Sequence, residues 1–367
     1  MIYLDSGATS FCKPDTVKQA VLRAMERCAN PGRGGYPAAA AANQVVYRCR
    51  ELAGELFECD PDQVVFTANC THGLNLAINT LVQPGARVVV SGFEHNAVMR
   101  PLYARRARIT VAGRRLFDWE DTLYQFEKAL KAGVQAAVFT HMSNVFGYIL
   151  PVGEMAALCR AYGVPFIIDA AQSAGSQPVK LRTLGADFIA MPGHKGLLGP
   201  QGTGLLLCAR EPKPLTFGGT GSEPLRHDMP DTLPERAEAG TLNVPGIAGL
   251  GAGMQYLKNK GIRNVAKQEE QCVKCLVEPL KKLGFEVYSG DHQGGTLSFV
   301  PKQDCEELAG KLAERNIAVR AGLHCAPLAH ESAGTLETGT VRVSFGHDAS
   351  LYQARIFLRE MEGIYSR

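Results

Sequence analysis

Apolar and polar positions follow one repeated order along the first two thirds of this chain. A short run of β-branched or aromatic residues ends in a polar residue, and a stretch with helical periodicity follows. The five clearest runs lie at 63–67, 87–90, 136–139, 164–168 and 188–190. Apolar strands that alternate with helices are typical of a mostly parallel sheet covered on both faces. The pattern therefore predicts an α/β fold.

The pattern changes after residue 245. A Gly-rich segment leads into a long helical stretch that reaches about residue 283. Short strands are predicted at 285–288, 296–300, 317–320 and 341–345, with helices at 305–315 and 350–365. We therefore expect a large domain over 16–250 and a smaller α+β domain made of 1–15 and 251–367.

Composition and charge narrow the range of possible functions. The 367 residues are 46% hydrophobic and 20% charged, and the net charge of +3 is interspersed along the chain. This balance favours neither nucleic acid nor a membrane surface as a partner. The 11 cysteines are scattered, and no export signal is recognised, so we expect free thiols in the cytoplasm. Cys272 and Cys275 form a CxxC without a second pair, and we expect no metal site.

Candidate chemistry collects where the predicted strands end. His, Asn, Asp, Gln, Thr and Lys residues follow the five runs, and ligands of open α/β sheets bind at the carboxyl ends of strands. The segment 187–204 presents Lys195 in a loop too rich in Gly and Pro for regular structure. It is either a solvated surface loop or the wall of a site to which a bulky group binds.

Each strand-end residue has a chemical and a purely structural interpretation. Lys195 could form a Schiff base, and Asp169 could pair with a pyridinium nitrogen or simply cap the next helix. The helix opened by 69–73 could bind a phosphate, with Thr71 as a hydroxyl donor or only as its N-cap. His95 could lie flat on a ring, or be an ordinary loop histidine.

Nine motifs in fixed order carry a family resemblance over nearly the whole chain. They are YLDSGAT, TANCTHGLN, FEHNAV, THMSNVFG, IIDAAQS, PGHKGLLGPQGTG, EAGTLNVPGIAGLGAG, RAGLHC and VRVSF. With them the chain resembles pyridoxal-phosphate enzymes of the class V aminotransferase superfamily, in the cysteine desulfurase and selenocysteine lyase branch. The resemblance implies a large domain with a mostly parallel, seven-stranded-type sheet, and a small domain that carries a catalytic cysteine.

The resemblance also implies roles for individual residues at the cofactor. Lys195 corresponds to the lysine that binds the cofactor, Asp169 to the partner of the pyridine nitrogen, and His95 to the residue stacked on the ring. The other implied contacts are His194, Cys70 and Thr71 at the phosphate, Gln172 and Asn144 at the ring oxygen or the substrate, and Thr241 at the phosphate of the other subunit of a homodimer. Two positions depart from the family pattern, since Pro192 and Cys70 stand where hydroxyl residues are common.

Two positions in the small domain indicate the reaction. Cys325 resembles the nucleophile that takes sulfur from L-cysteine as a persulfide and leaves L-alanine, and Arg342 resembles the residue that binds the substrate carboxylate, with Arg320 assisting. The short interval between Cys325 and Arg342 resembles the branch that delivers sulfur to an acceptor protein. A selenocysteine lyase or another β-lyase is the alternative, and a non-catalytic homologue that acts as a sulfur-carrier scaffold is a third.

Overall fold

The computed structural model describes residues 1–32 and 34–365. Its strands in chain order are β1 Ile2–Tyr3, β2 Val64–Thr67, β3 Arg87–Ser91, β4 Arg108–Ala112, β5 Ala136–Thr140, β6 Phe166–Asp169, β7 Phe188–Pro192, β8 Gly204–Cys208, β9 Glu286–Tyr288, β10 Thr296–Val300, β11 Ile317–Ala318, β12 Arg320–Gly322 and β13 Thr340–Ser344. Its α-helices are α1 Asp15–Arg27, α2 Pro37–Phe57, α3 Cys70–Leu81, α4 Asn96–Ala104, α5 Trp119–Lys131, α6 Val152–Tyr162, α7 Leu181–Leu184, α8 Val244–Lys260, α9 Ile262–Lys282, α10 Cys305–Glu314, α11 Pro327–Ala333 and α12 Leu351–Tyr365. Across these two ranges, no helix combines the length and apolarity needed to cross a membrane.

Seven strands form the large sheet, in the order β2-β8-β7-β6-β5-β3-β4. The five predicted strands are all in it, and the α/β class with a mostly parallel seven-stranded sheet is confirmed. The strands β4 and β8 were not predicted. Strand β8 runs antiparallel to both of its neighbours, β2 and β7. An apolar run has no signal for strand direction, so this reversal was not visible in the sequence.

Both faces of the large sheet are buried. Phe166 and Ile168 of β6 pack in one hydrophobic cluster, whereas Ile167 between them packs in another. Neighbouring residues of a strand point to opposite faces, so the two clusters lie on opposite sides of the sheet. This is why its strands are nearly continuous apolar runs instead of alternating ones.

The rest of the chain forms two smaller sheets. Strands β12-β13-β10-β9 make an antiparallel sheet, and β1 pairs in parallel with β11. A third hydrophobic cluster joins Leu4 to residues of α9, α10 and α12, such as Leu276, Leu308 and Phe357. The N-terminal segment therefore packs with elements that lie far from it in sequence.

Two local predictions for this part were wrong. The long helical stretch corresponds to α9, but the Gly-rich segment before it, for which no helix was predicted, is helix α8. Gly261 adopts a φ of +83° between the two and ends α8. The predicted strand at 317–320 is two strands, β11 and β12, which belong to different sheets. The second error arose because apolar periodicity continues across a point where the backbone turns.

Candidate active site

Four neighbouring parallel strands end at one edge of the large sheet. They are β7, β6, β5 and β3. Asp169 ends β6 and is the Cα partner of Thr140, the last residue of β5. Lys195 lies shortly after β7, and His95 lies shortly after β3. The parallel arrangement thus brings Asp169, Lys195 and His95 to the same edge.

Glycine allows the loop of Lys195 to pack tightly. A Cβ atom on Gly196 would lie 2.1 Å from the carbonyl oxygen of Ala174, and a Cβ atom on Gly175 would lie 2.3 Å from the oxygen of Gly196. Any side chain at either position would push the two backbones apart. The glycines therefore hold the backbone next to Lys195 against the segment that follows Asp169.

The half-buried Lys195 lies among charged groups of both signs. Burial lowers the pKa of Lys195 below its ordinary value, and Arg342 and Arg320 lower it further, whereas Cys70 and Asp169 act in the opposite direction. A lysine with a lowered pKa has more of its amine in the neutral, nucleophilic form near neutral pH. The amine is therefore suited to attack a carbonyl carbon.

Asp169 is a buried carboxylate with a free acceptor atom. Its Oδ1 accepts hydrogen bonds from the backbone N–H of Ala171 at 2.8 Å and from the thiol of Cys70 at 3.4 Å. Burial raises the pKa of Asp169, although these hydrogen bonds and Lys195 oppose the shift. Among the described residues both bonds are at Oδ1, so Oδ2 can accept one from a protonated ring nitrogen.

Helix α3 begins beside Asp169. Its N-cap is Asn69, whose Oδ1 accepts from the N–H of His72 at 2.9 Å, so Thr71 is not the cap. The first N–H groups of a helix have no intrahelical partner and favour an anion. The Cys70 side chain is directed to Asp169 instead, and the exposed Thr71 keeps its hydroxyl at the surface of this turn.

His95 is a neutral ring in a fixed tautomer. It is the N-cap of α4, and its Nδ1 accepts a hydrogen bond from the N–H of Ala97 at 3.0 Å, which places the ring proton on Nε2. Burial lowers the pKa of His95 to about 4, and Lys195 and Arg320 add to the shift. An uncharged imidazole is able to lie against an electron-poor ring without repelling its positive nitrogen.

Glu94 is a further buried acid at this edge, and it was not predicted. Its Oε1 accepts from the N–H of Thr140 at 2.8 Å and from the hydroxyl of Ser91, so it joins the ends of β5 and β3. Burial raises the pKa of Glu94 to about 8. The signal was an acidic residue directly before His95 in an otherwise apolar strand end.

Arg342 is fully buried and held by two acceptors. Its Nη1 donates to the carbonyl oxygen of Asn144 at 2.9 Å, and its Nη2 pairs with Asp5 at 2.6 Å. A guanidinium has five N–H donors, so three remain for a substrate carboxylate. Sequence reasoning missed Asp5, although it is the only charged residue of the YLDSGAT motif. The exposed Arg320 is the Cα partner of Arg342 across β12 and β13.

Cys325 is exposed and held at the start of α4. Its carbonyl oxygen accepts from the N–H of Asn96 at 2.8 Å, next to His95. Asn144 donates from Nδ2 to the carbonyl oxygen of His324 at 2.8 Å. His324 and Cys325 have φ values of +50° and +57°, a conformation that costs energy for residues other than glycine. The loop therefore anchors the strained backbone of the exposed Cys325 beside His95.

His324 carries no charge to activate the neighbouring thiol. Its side chain is buried, and Nε2 lies 3.1 Å from the hydroxyl oxygen of Thr340. Burial lowers the pKa of His324 to about 2, and Arg342 contributes to the shift. Its role is therefore to fix the loop through Thr340.

Gln172 and His194 both contact the N-terminal segment. Gln172 donates from Nε2 to the carbonyl oxygen of Gly7 at 2.9 Å, and Nδ1 of His194 lies 3.0 Å from the hydroxyl of Thr9. Burial lowers the pKa of His194 to about 4. The YLDSGAT segment thus covers one side of the site.

Thr241 does not line the cavity that borders Lys195. It is exposed and lines a different cleft, of about 210 Å³, together with Ala68, His72 and Gly240. The cavity that borders Lys195 is lined instead by residues such as Gln172.

The donor set as a whole fits a phosphorylated pyridine aldehyde. A nucleophilic amine, a buried carboxylate, a neutral imidazole and a helix N-terminus occupy one edge of the sheet. Each would meet a different part of such a group, namely its aldehyde carbon, ring nitrogen, ring face and phosphate.

Comparison with known proteins agrees with this chemistry. The sequence profile of the family described as Aminotransferase class-V matches residues 2–355. A probable cysteine desulfurase of Methanothermobacter thermautotrophicus is 34% identical over 359 residues, which covers 94% of this chain and 89% of the relative. One from Pyrococcus abyssi is 32% identical over 380 aligned positions, covering 99% of this chain and 94% of the relative. The solved apo structure of cysteine desulfurase from Thermococcus onnurineus NA1 has a TM-score of 0.91 at 31% identity, over 100% of this chain and 94% of that one.

Proposed function

The chain belongs to the class-V aminotransferase family, and on that premise we propose that it is a pyridoxal-phosphate-dependent cysteine desulfurase. It converts L-cysteine to L-alanine and transfers the sulfur to Cys325. The observation that carries the proposal is the exposed Cys325, held beside His95 at the edge of the sheet that carries Lys195 and Asp169. The desulfurases similar to this chain over nearly its whole length support it.

Four groups of the chain would hold the cofactor. Lys195 would bind its aldehyde carbon, Oδ2 of Asp169 would accept from its ring nitrogen, His95 would cover the ring, and the N-terminus of α3 would receive its phosphate. Bound pyridoxal phosphate supplies an electron sink for the substrate carbon atoms. Asp169 keeps that sink effective by stabilising the protonated ring nitrogen.

Substrate binding and sulfur transfer fall to other residues. The free N–H groups of Arg342 bind the carboxylate of cysteine, and Nζ of Lys195 accepts the proton of its α-carbon. The Cys325 thiolate then attacks the substrate sulfur. An S–S bond forms as the C–S bond breaks, and the electron pair stays with the β-carbon. Protonation of that carbon, and return of a proton from Nζ of Lys195 to the α-carbon, yield alanine.

Two kinds of partner complete the proposal. Cys325 is exposed on an anchored loop, so a sulfur acceptor must come to the thiol. A second copy of the chain would cover the groove between α1, α2 and α8, beside which Leu22, Met25 and Tyr47 are more than half exposed. Exposed large apolar side chains on adjoining helices are typical of interfaces.

The test is cysteine turnover by Cys325→Ala, measured as alanine and sulfide with and without a reductant. Alanine release should fall by about a hundredfold or more, while cofactor absorbance is unchanged, because a covalent nucleophile has been removed. Cys12→Ala is the matched control, since Cys12 is also exposed and should be dispensable.

Undiminished turnover in Cys325→Ala would exclude persulfide formation on this residue. A selenocysteine lyase would give two results together. Cys325→Ala would release alanine from selenocysteine at the wild-type rate, and that rate would exceed the rate at which the wild type releases alanine from cysteine. If the wild type neither bound the cofactor nor turned over cysteine, both enzyme functions would be excluded and the function of a sulfur-carrier scaffold would remain.

A further inference from the structure

A buried ion pair lies along the free edge of the large sheet. Arg50 of α2 and Glu238 are each less than a tenth exposed, and Nη2 of Arg50 lies 2.5 Å from Oε2 of Glu238. Strand β2 is the edge strand and pairs on one side with β8. On its other side, Arg50 donates from Nη1 to the carbonyl oxygen of Val64, and the N–H of Phe66 donates to Oε1 of Glu238 at 2.6 Å. The two side chains thus take the place of a neighbouring strand.

Each contact of this pair is specific in geometry. Glu238 uses both carboxylate oxygens, one for Arg50 and one for the β2 backbone. The guanidinium carbon of Arg50 lies 4.4 Å from the ring centroid of Phe66, a cation–π contact. Arg50 supplies a counter-charge to Glu238, and burial raises the pKa of Glu238 against that effect. A pair this buried costs desolvation and is weak evidence for a purely stabilising role.

The hydrogen bond between Glu238 and Phe66 joins two segments of the chain that both lead to one cleft. Three residues beyond Phe66 in sequence is Asn69, the N-cap of α3, and three residues beyond Glu238 is Thr241. Ala68 from the first segment and Thr241 from the second line the same cleft. A change in the Glu238–Phe66 hydrogen bond would therefore shift Thr241 relative to the N-terminus of α3.

We propose that Arg50 and Glu238 are positioning residues that hold two phosphate-binding elements in place, and so set the affinity for the cofactor phosphate. These elements are the N-terminus of α3, which serves the cofactor of its own subunit, and the segment of Thr241, which serves that of the other subunit. The inference rests on the proposed function, because it takes these two elements as phosphate ligands. The pair acts through the edge strand β2.

The test compares pyridoxal phosphate with pyridoxal, which lacks the phosphate. Dissociation constants are measured by absorbance titration of wild type, Glu238→Gln and the apolar double variant Arg50→Met/Glu238→Leu. A positioning role predicts that the preference for pyridoxal phosphate over pyridoxal falls about tenfold in both variants, as when one hydrogen bond is lost. General destabilisation would weaken both ligands equally and leave the ratio unchanged.

The control is a second ion pair of the same helix. Glu55 of α2 pairs with Lys258 at 2.6 Å, but both side chains are about half exposed, so Glu55→Gln should leave the ratio as in the wild type. An unchanged ratio in Glu238→Gln and in the double variant would overturn the inference, while normal binding by the wild type would keep the proposed function intact. Failure of the wild type to bind pyridoxal phosphate would overturn both together.

Discussion

At the scale of single residues, burial sets the protonation states of the site. It lowers the pKa values of Lys195 and His95 and raises that of Asp169. In each case it opposes the charged form, and the opposing charges on Lys195 and Asp169 only partly compensate. The amine is thereby kept nucleophilic, the imidazole neutral, and the carboxylate in need of a cationic partner.

Lys195 should be the residue to which the cofactor is bound covalently. Borohydride treatment of the yellow holoenzyme should bleach it and leave a pyridoxyl group on Lys195, found by peptide mass spectrometry. Lys13 is the informative comparison, because burial lowers its pKa to about 8 and makes it the competing nucleophile. Label on Lys13 in the wild type, or label retained in Lys195→Ala, would contradict the assignment.

Arg342 should be needed for substrate and not for cofactor. Arg342→Lys keeps a positive charge near Asp5 but loses the planar fork, so KM for cysteine should rise about ten- to a hundredfold. Cofactor absorbance should stay at the wild-type level. Arg320→Lys is the comparison on the neighbouring strand, where a smaller rise is expected because Arg320 is exposed. Loss of cofactor with an unchanged KM would assign Arg342 to the cofactor instead.

At the scale of elements, α9 carries a buried acid whose ionisation opposes folding. Glu269 is 6% exposed and faces a small cavity that also borders Lys195 and Thr296. Burial raises the pKa of Glu269 to about 8, with Glu270 and Asp348 adding to the shift and Lys260 opposing it. The folded state thus holds this proton more tightly than the unfolded state. The protonated Glu269 therefore makes its full contribution to the free energy of unfolding below about pH 4.5, and that contribution is lost as the pH rises to 8.

Removing this charge should flatten the pH dependence of stability. Glu269→Gln cannot ionise, so its free energy of unfolding relative to wild type should increase by roughly 3 kcal/mol between pH 5 and pH 8. Denaturant unfolding at each pH measures the difference. Glu278→Gln on the same helix is the control, because its side chain is 71% exposed. Parallel curves for Glu269→Gln and wild type would show that Glu269 ionises without cost.

At the scale of the whole molecule, Thr241 connects the site to assembly. Within one chain it lies in a cleft other than that of Lys195. The family resemblance implies that it serves the phosphate of the other subunit. The homodimer would then be required for cofactor binding, and not only for stability.

Mixed dimers distinguish contact within a subunit from contact between subunits. A dimer of one Lys195→Ala chain and one Thr241→Ala chain has one intact site if Thr241 acts across the interface. About half of the sites should then bind pyridoxal phosphate with wild-type affinity, whereas the Thr241→Ala homodimer should bind about ten- to a hundredfold more weakly. Spectral titration of affinity-tagged heterodimers measures this. The absence of any wild-type site in the heterodimer would place Thr241 in its own subunit's site.

The order of apolar runs and polar strand ends by itself determined the fold class and the edge of the sheet that carries the site. Strand periodicity is local, and parallel strands end at a common edge of the sheet. The sequence alone therefore places Asp169, Lys195 and His95 together. The same locality explains the failures. The direction of β8 and the break at Gly261 depend on how the chain returns, which no short window contains.

The tertiary structure alone decided which distant residues support the site. Asp5 and Arg342 pair across 337 positions, and Glu238 reaches β2 across 172. In the sequence, Asp5 and Glu238 are single charges with no visible partner, and the motif that marks Arg342 does not show which carboxylate pairs with it. Their burial, and hence the cost of leaving them unpaired, appears only when the sheets pack. The electrostatics of the buried groups therefore belongs to the folded molecule, because desolvation is a property of the whole packing and not of any segment.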